Sequence, residues 1–348
     1  MVGRDIKRHR VAAEMLRPPV LGKVLVMLFD SYGRTFRYLR LSVTDICNYR
    51  CNYCLPDGMP CDTGHKLSVK NIKMLANAAA RLGIQKVRIT GGEPSVRKDL
   101  TQIISVLKST PGIETVALTT NGHQLKKHLS GWLEAGLDQL NISCDSLDAR
   151  VFQAITGRDQ LDNLLEAIEL AQNSALKSVK VNTVLLRDYN LANLNEFIDW
   201  ASGSNITLRF IELMETGDND QYFSQNHVSA DTVQQQLLNQ GWQQMVAHKN
   251  AGPAKEYFHP DHVGKIGFIA PYSDDFCDSC NRLRISSSAK FHLCLFGESG
   301  FDLMPWLEND DLEGLLIAMQ DIMETKPRKH YLQQNNTGST ANLAMLGG

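Results

Sequence analysis

The sequence predicts an α/β fold: an open partial (β/α)6 barrel of parallel strands, followed by a smaller α+β extension. Two observations predict it. Between Tyr38 and Met214, short β-branched runs alternate with segments of helical apolar spacing, and beyond about residue 220 the alternation stops. The chain has 348 residues, which exceeds a usual single core but suits one large barrel and an appendage.

Strands are predicted at 38–44, 86–90, 115–120, 139–143, 179–186 and 207–214, and helices at 69–82, 100–107, 125–135, 161–171 and 194–201. Six βα units in succession imply a parallel sheet with helices outside it. A closed eight-stranded barrel needs two more units, so the predicted barrel is open. In such folds sites form at the C-terminal ends of the strands. Beyond residue 220 a helix is predicted at 231–239, strands at 242–246, 265–269, 283–286 and 291–295, and a last helix at 312–324. Residues 333–348 are polar and read as irregular. The organisation is an extension at 1–27, the barrel at 28–220, and a C-terminal region at 221–348.

Hydrophobic residues are 43% and charged residues 21%, as in ordinary globular proteins. The net charge of −2 points neither to nucleic acid nor to a membrane surface, though a local basic site for a small anion stays compatible with it. No run of 18 apolar residues exists to span a membrane. The basic N-terminus lacks a small-residue cleavage site after Val20 to Phe29, which argues against a secretory signal. The predicted location is the cytoplasm.

Six of the eight cysteines fall into two triads. Such clustering reads as metal binding rather than disulfides. The first, Cys47, Cys51 and Cys54, has CxxxCxxC spacing directly after a strand. Three thiolates can hold three irons of a cubane and leave the fourth open to a ligand. A zinc site with a distant fourth ligand is the alternative, although zinc favours paired CxxC spacings. Gly91-Gly92-Glu93-Pro94 follows at the end of the second strand, where paired glycines let backbone approach a ligand. The second triad is Cys277, Cys280 and Cys294, with no fourth cysteine nearby. A second cluster with an open iron, or zinc completed by His292 or His262, would satisfy it. Arg40, Lys86, Arg88 and Lys180 all fall on predicted strands. Residues 86 and 88 share one face, and inward basic side chains are costly unless an anion meets them.

The first triad and the GGEP segment resemble the radical S-adenosylmethionine (SAM) superfamily. The second triad with Arg282 and Arg284, the segments 38–45, 155–159, 209–214 and 252–254, and the terminal Gly347-Gly348 resemble the GTP 3′,8-cyclase family within it. This resemblance implies two [4Fe–4S] clusters at opposite ends of the barrel. SAM would sit on the first, held by Tyr53, Gly92, Glu93, Thr119, Ser143 and Met214. GTP would sit on the second, with Arg40, Lys86, Arg88 and Lys180 as its contacts and Arg282 and Arg284 near the purine. A deoxyadenosyl radical would take hydrogen from the ribose 3′ carbon, which then joins C8 of guanine. Gly347 and Gly348 would reach into the barrel toward Arg88. The product would be (8S)-3′,8-cyclo-7,8-dihydroguanosine 5′-triphosphate, passed to cyclic pyranopterin monophosphate synthase in molybdenum cofactor biosynthesis. An external electron donor is implied, and a homodimer is compatible. Leu55, Tyr32 and Cys144 stand where the family usually has Met, Phe and Leu, and Cys61 matches no family role. Cys61 and Cys144 read as packed or free thiols.

Overall fold

The structure is a computed structural model that describes residues 27–55, 67–246, 252–298, 300–340 and 343–346. Residues 1–26 of the predicted extension, Cys61, Gly347 and Gly348 lie outside the described residues.

The predicted strands form as β1 (Tyr38–Ser42), β2 (Lys86–Thr90), β3 (Thr115–Thr120), β4 (Gln139–Ser143), β5 (Ser178–Leu185) and β6 (Thr207–Glu212), paired in sequence order and all parallel. The crossover helices are α1 (Val69–Arg81), α2 (Leu100–Lys108), α3 (Leu125–Glu134), α4 (Ala149–Thr156), α5 (Leu161–Gln172) and α6 (Leu194–Ser202). Their boundaries follow from local chemistry. Ser68 and Asn71 form a capping box that starts α1. Asp148 accepts from the Arg150 and Val151 amides to start α4, which stops at Gly157 in the left-handed region. Sequence reading missed α4 because eight residues leave too short a periodic window.

The extension is not a separate layer. Its strand β9 (Lys265–Ile269) pairs parallel with β6, and β10 (Arg282–Ile285) pairs parallel with β1. Eight neighbouring strands are therefore parallel, from β10 through β1–β6 to β9. β9 and β10 do not pair with each other, so the barrel stays open. Antiparallel strands complete the twelve-stranded sheet: β8 (Lys255–Phe258) and β7 (Gln243–Gln244) beyond β9, β11 (Lys290–His292) and β12 (Phe301–Asp302) beyond β10. The strand expected at 242–246 shrinks to two residues, and β8 and β12 were not anticipated. These are short pieces near the ends of the sheet whose pairing depends on distant neighbours rather than on local pattern. Helices α7 (Asp220–Asn226), α8 (Ala230–Asn239), α9 (Met304–Glu308) and α10 (Leu312–Met323) cover the remaining flanks.

Alternation along the strands sorts the side chains. Leu39, Leu41, Val87, Ile89, Val116 and Leu118 are fully buried against the helices. The intervening Tyr38, Arg40, Lys86 and Arg88 face the barrel interior. On β6 the same period turns Leu208 and Phe210 outward to the core and Arg209 and Ile211 inward.

The segment expected to be irregular, 333–348, is docked where described. The Thr340 hydroxyl donates to the Leu295 carbonyl, and the Ser339 amide donates to that of Gly297 at 2.9 Å. Leu343 and Ala344 are buried. Among the described residues no helix is long and apolar enough to cross a membrane.

Phe210 packs between Phe197 of α6, edge to face, and the tilted ring of Phe268 of β9, with ring centroids at 6.3 and 5.7 Å. It ties a barrel helix to a strand of the extension, so Phe210→Ala should lower stability by about 3–5 kcal/mol. Anaerobic denaturant titration measures this against the exposed Phe301→Ala, and equal losses in the two variants would contradict the packing described.

Candidate active site

The barrel interior contains two adjoining cavities. The smaller, about 160 Å³, lies at the C-terminal ends of β1–β6 and is lined by Cys47, Cys51 and Cys54 together with Tyr53, Gly92, Glu93, Thr119, Ser143 and Met214. All six residues assigned to SAM thus meet the first triad in one place. The loop after β2 is pressed against the loop after β1. A Cβ on Gly91 would stand 2.5 Å from the Thr44 carbonyl oxygen, and one on Gly92 would stand 2.5 Å from that of Asp45. Only glycine permits that approach.

Glu93 is buried, and its carboxylate already accepts from the Ser95 amide at 2.9 Å, the Thr120 hydroxyl at 2.7 Å and the Asn121 amide at 2.6 Å. A carboxylate offers about four acceptor positions, so Glu93 has room for one further donor. Burial pushes its carboxyl up despite these bonds. Tyr53 donates to Asp145 at 2.9 Å, while Asp145 also accepts from the Val184 amide at 2.8 Å. Burial pushes Asp145 up to about 6. Sequence reading did not single out Asp145, and its position beside Ser143 was the available signal.

The larger cavity, about 320 Å³, is lined by Cys277, Cys280 and Cys294 at one end. Its walls carry Arg40, Lys86 and Arg88 from β1 and β2, Lys180 and Arg209 from β5 and β6, and Arg282 and Arg284 from β10. The register aligns them: Arg284, Arg40 and Arg88 lie side by side across three strands, and Asn182 neighbours Arg209 on the opposite wall. Glu256 is the one carboxylate among the described lining residues. It accepts from Lys180 at 2.7 Å and Arg209 at 2.6 Å. The Arg209 Nε, Arg284 Nε, Asn141 Oδ1 and Asn182 Oδ1 atoms are buried without hydrogen-bond partners. Buried polar atoms are normally satisfied, so unmet donors and acceptors around a cavity mark a place shaped for a polar ligand.

The mutual field of these cations is visible in their protonation. Burial, and then the neighbouring Arg88, pull Lys86 down to about 8, and burial, and then Arg209, do the same to Lys180. Burial alone would raise the Tyr38 hydroxyl, but Arg88, Arg40 and Lys86 outweigh it and bring it to about 7. Arg88 Nε donates to that hydroxyl at 2.6 Å.

Two environments distinguish the triads. Burial pushes Cys54 up to about 12, and Cys47 and Cys51 also rise through burial, with Asp145 adding to Cys51. At Cys280 burial acts in the same sense, yet Arg282, Lys326 and Arg284 outweigh it and hold the thiol below its usual value. The second triad is braced from behind. Arg34, paired with Asp30 at 2.6 Å, donates to the carbonyls of Cys277, Pro327 and Arg328. Buried Lys326 donates to the Leu293 carbonyl. His262 stacks on Trp242. Among the described residues no three His, Cys, Asp or Glu side chains gather closely enough for one metal ion. Each triad offers three cysteine thiols, the donor set that a cubane cluster takes, and His292 lines an outer cavity together with Cys294. Cys144 is fully buried in the core and donates to the Ser146 carbonyl.

The cavities share Thr119, Asn182, Ile211 and Met214. Thr119, assigned from the sequence to SAM alone, therefore stands at their junction, where its hydroxyl also receives Arg88 at 3.4 Å. The tail returns to this region, with Leu343 and Ala344 lining the smaller cavity.

The radical SAM superfamily pattern matches residues 41–201, and that of Molybdenum Cofactor Synthesis C matches residues 206–332. GTP 3′,8-cyclase of Yersinia pestis is 48% identical over 326 residues, covering 93% of this chain and 100% of that protein. GTP 3′,8-cyclase of Pectobacterium atrosepticum is 48% identical over 325 residues, covering 92% and 99%. Among solved structures, SuiB of Streptococcus suis superposes with a TM-score of 0.55 over 83% of this chain and 69% of that one, at 14% identity, a likeness of fold alone. With 48% identity over nearly the full length of two cyclases and both family patterns in place, the chain belongs to the GTP 3′,8-cyclase family of radical SAM enzymes.

Proposed function

We propose that this enzyme converts GTP to (8S)-3′,8-cyclo-7,8-dihydroguanosine 5′-triphosphate, the first step of molybdenum cofactor biosynthesis. The observation that supports it most is the larger cavity: a cationic interior at one end of which lies the second triad and at whose other end lies the SAM cavity. When bound, the cluster and SAM supply radical chemistry begun by one-electron cleavage of SAM.

The residues divide the work. Cys47, Cys51 and Cys54 would hold the first cluster. Tyr53, Gly92, Glu93, Ser143 and Met214 would seat SAM beside it, with Thr119 between the ligands. Cys277, Cys280 and Cys294 would hold a second cluster. Arg40, Lys86, Arg88 and Lys180 would bind the triphosphate, joined by Arg209, while Arg282 and Arg284 would lie near the purine. Each charged hydrogen bond to phosphate contributes about 1.5–3 kcal/mol. The described apolar residues between the triads, Leu295, Phe296 and Leu343, would keep water from the reacting carbons. Gly347 and Gly348 would reach from the tail toward Arg88. An external electron donor would feed the clusters, in a reducing cytoplasm, and cyclic pyranopterin monophosphate synthase would take the product.

Anaerobically reconstituted protein should hold about eight irons, four per cubane. Serine at Cys47, Cys51 or Cys54 should remove one cluster and all SAM cleavage, and serine at Cys277, Cys280 or Cys294 should remove the other. Iron and sulfide analysis checks this, and one zinc with no labile sulfide would sink it.

Arg88→Ala or Lys180→Ala should weaken GTP binding by roughly 10–100-fold while leaving SAM binding nearly unchanged. Calorimetry with each ligand separately decides the matter. Equal losses for both ligands would make these residues supports of the fold instead.

GTP affinity should also fall as pH rises. Lys86 and Lys180 lose their protons near 8, and above about 7 the Tyr38 phenolate competes for Arg88. An anion favours the charged lysines and the neutral phenol, so affinity is full below these values and declines through them. Between pH 7 and 9 the Kd should weaken by about 10-fold or more. A flat profile would show that these groups do not face the phosphates.

A further inference from the structure

Glu256 is the anomaly of the basic cavity. It is a carboxylate on β8, a strand of the extension, and its Oε1 takes both Lys180 and Arg209. The fold makes room for it. Across the sheet, Asn182, Arg209, Gly267 and Glu256 occupy one row on β5, β6, β9 and β8. A Cβ on Gly267 would stand 3.3 Å from the Cγ atoms of both Arg209 and Glu256. Glycine there lets the two long side chains cross above it.

A carboxylate bridging a lysine and an arginine has the chemistry of a phosphate oxygen in the same place. Without it the two cations would repel each other in a poorly solvated wall. Glu256 also borders a second, outer cavity of about 440 Å³ that shares Gly252, Pro253 and Phe276 with the inner one. It thus stands at the boundary between the two cavities.

We propose that Glu256 is a specificity-determining residue of the basic cavity: its carboxylate holds the seat between Lys180 and Arg209 until a polyphosphate takes it. This rests on the reading of that cavity as the triphosphate site. Glu256 stabilises the ligand-free protein and sets a threshold for the ligand. An anion must bring enough charge to replace two ion pairs and to tolerate a displaced carboxylate nearby. A polyphosphate anchored also by Lys86 and Arg88 meets that threshold, and a singly charged anion does not.

The test compares wild type with Glu256→Gln and Glu256→Asp, using GTP and inorganic tripolyphosphate as probes. Calorimetry reads the Kd, thermal melting reads the ligand-free protein, and steady-state assays separate KM from kcat. In Glu256→Gln both probes should bind about 10-fold tighter, KM for GTP should fall without a rise in kcat, and the ligand-free protein should melt at a lower temperature. Glu256→Asp, which keeps the charge on a side chain one methylene shorter, should fall between wild type and Glu256→Gln. A purely structural residue would lower stability and affinity together, so opposite signs are the signature. Unchanged or weaker binding of both probes to a folded Glu256→Gln protein would overturn the proposal. Failure of wild type to bind either probe would overturn the reading of the cavity itself.

Discussion

Placing cations inside a barrel is costly, and the arrangement of this molecule follows from that cost. Seven basic side chains line one cavity, with Glu256 the single carboxylate among the described lining residues. Two like charges 4 Å apart repel by about 4 kcal/mol at an effective dielectric of 20. The protein relieves part of this through Glu256 and through Tyr38, whose hydroxyl is drawn toward ionisation. An anion entering the cavity would relieve the rest. A strongly negative ligand is therefore matched to this interior by energy.

The open sheet makes the arrangement possible. The C-terminal region contributes β9 and β10 to opposite edges of the six-stranded core. β10 delivers Arg282 and Arg284 into register with Tyr38 and Arg40. The loop before β10 carries Cys277 and Cys280, and Arg34 ties that loop to the segment at 327–328. Both triads then border the same small apolar cluster, which includes Leu295, Phe296 and Leu343, with Cys54 and Cys294 packed against it. The described part of the tail sits here too, with Leu343 in this cluster and Leu343 and Ala344 lining the smaller cavity.

Much of this was legible in the sequence. The βα alternation gave six strands within a residue or two, because buried parallel strands and amphipathic helices carry strong periods. The cysteine spacings and GGEP named the smaller cavity, since that chemistry depends on residues close in sequence. Arg209 was within reach: Phe210 reads as core, so strand period two turns Arg209 inward. Glu256 was not legible. Its strand is four residues long, and its partners Lys180 and Arg209 are 76 and 47 residues away. The same holds for the docking of the tail, where a polar, glycine-containing segment is held by hydrogen bonds to residues 295–297 rather than by any pattern of its own.

The central claim is that a polyphosphate in the basic cavity presents a nucleoside to radical chemistry launched from the adjoining one. Anaerobic single-turnover incubation with SAM and reductant, comparing GTP with unphosphorylated guanosine, tests it most directly. The account predicts 5′-deoxyadenosine and a cyclised nucleotide formed together with GTP, and neither cyclised product nor faster SAM cleavage with guanosine. Equal cyclisation of guanosine, or SAM cleavage that GTP leaves unchanged, would contradict it.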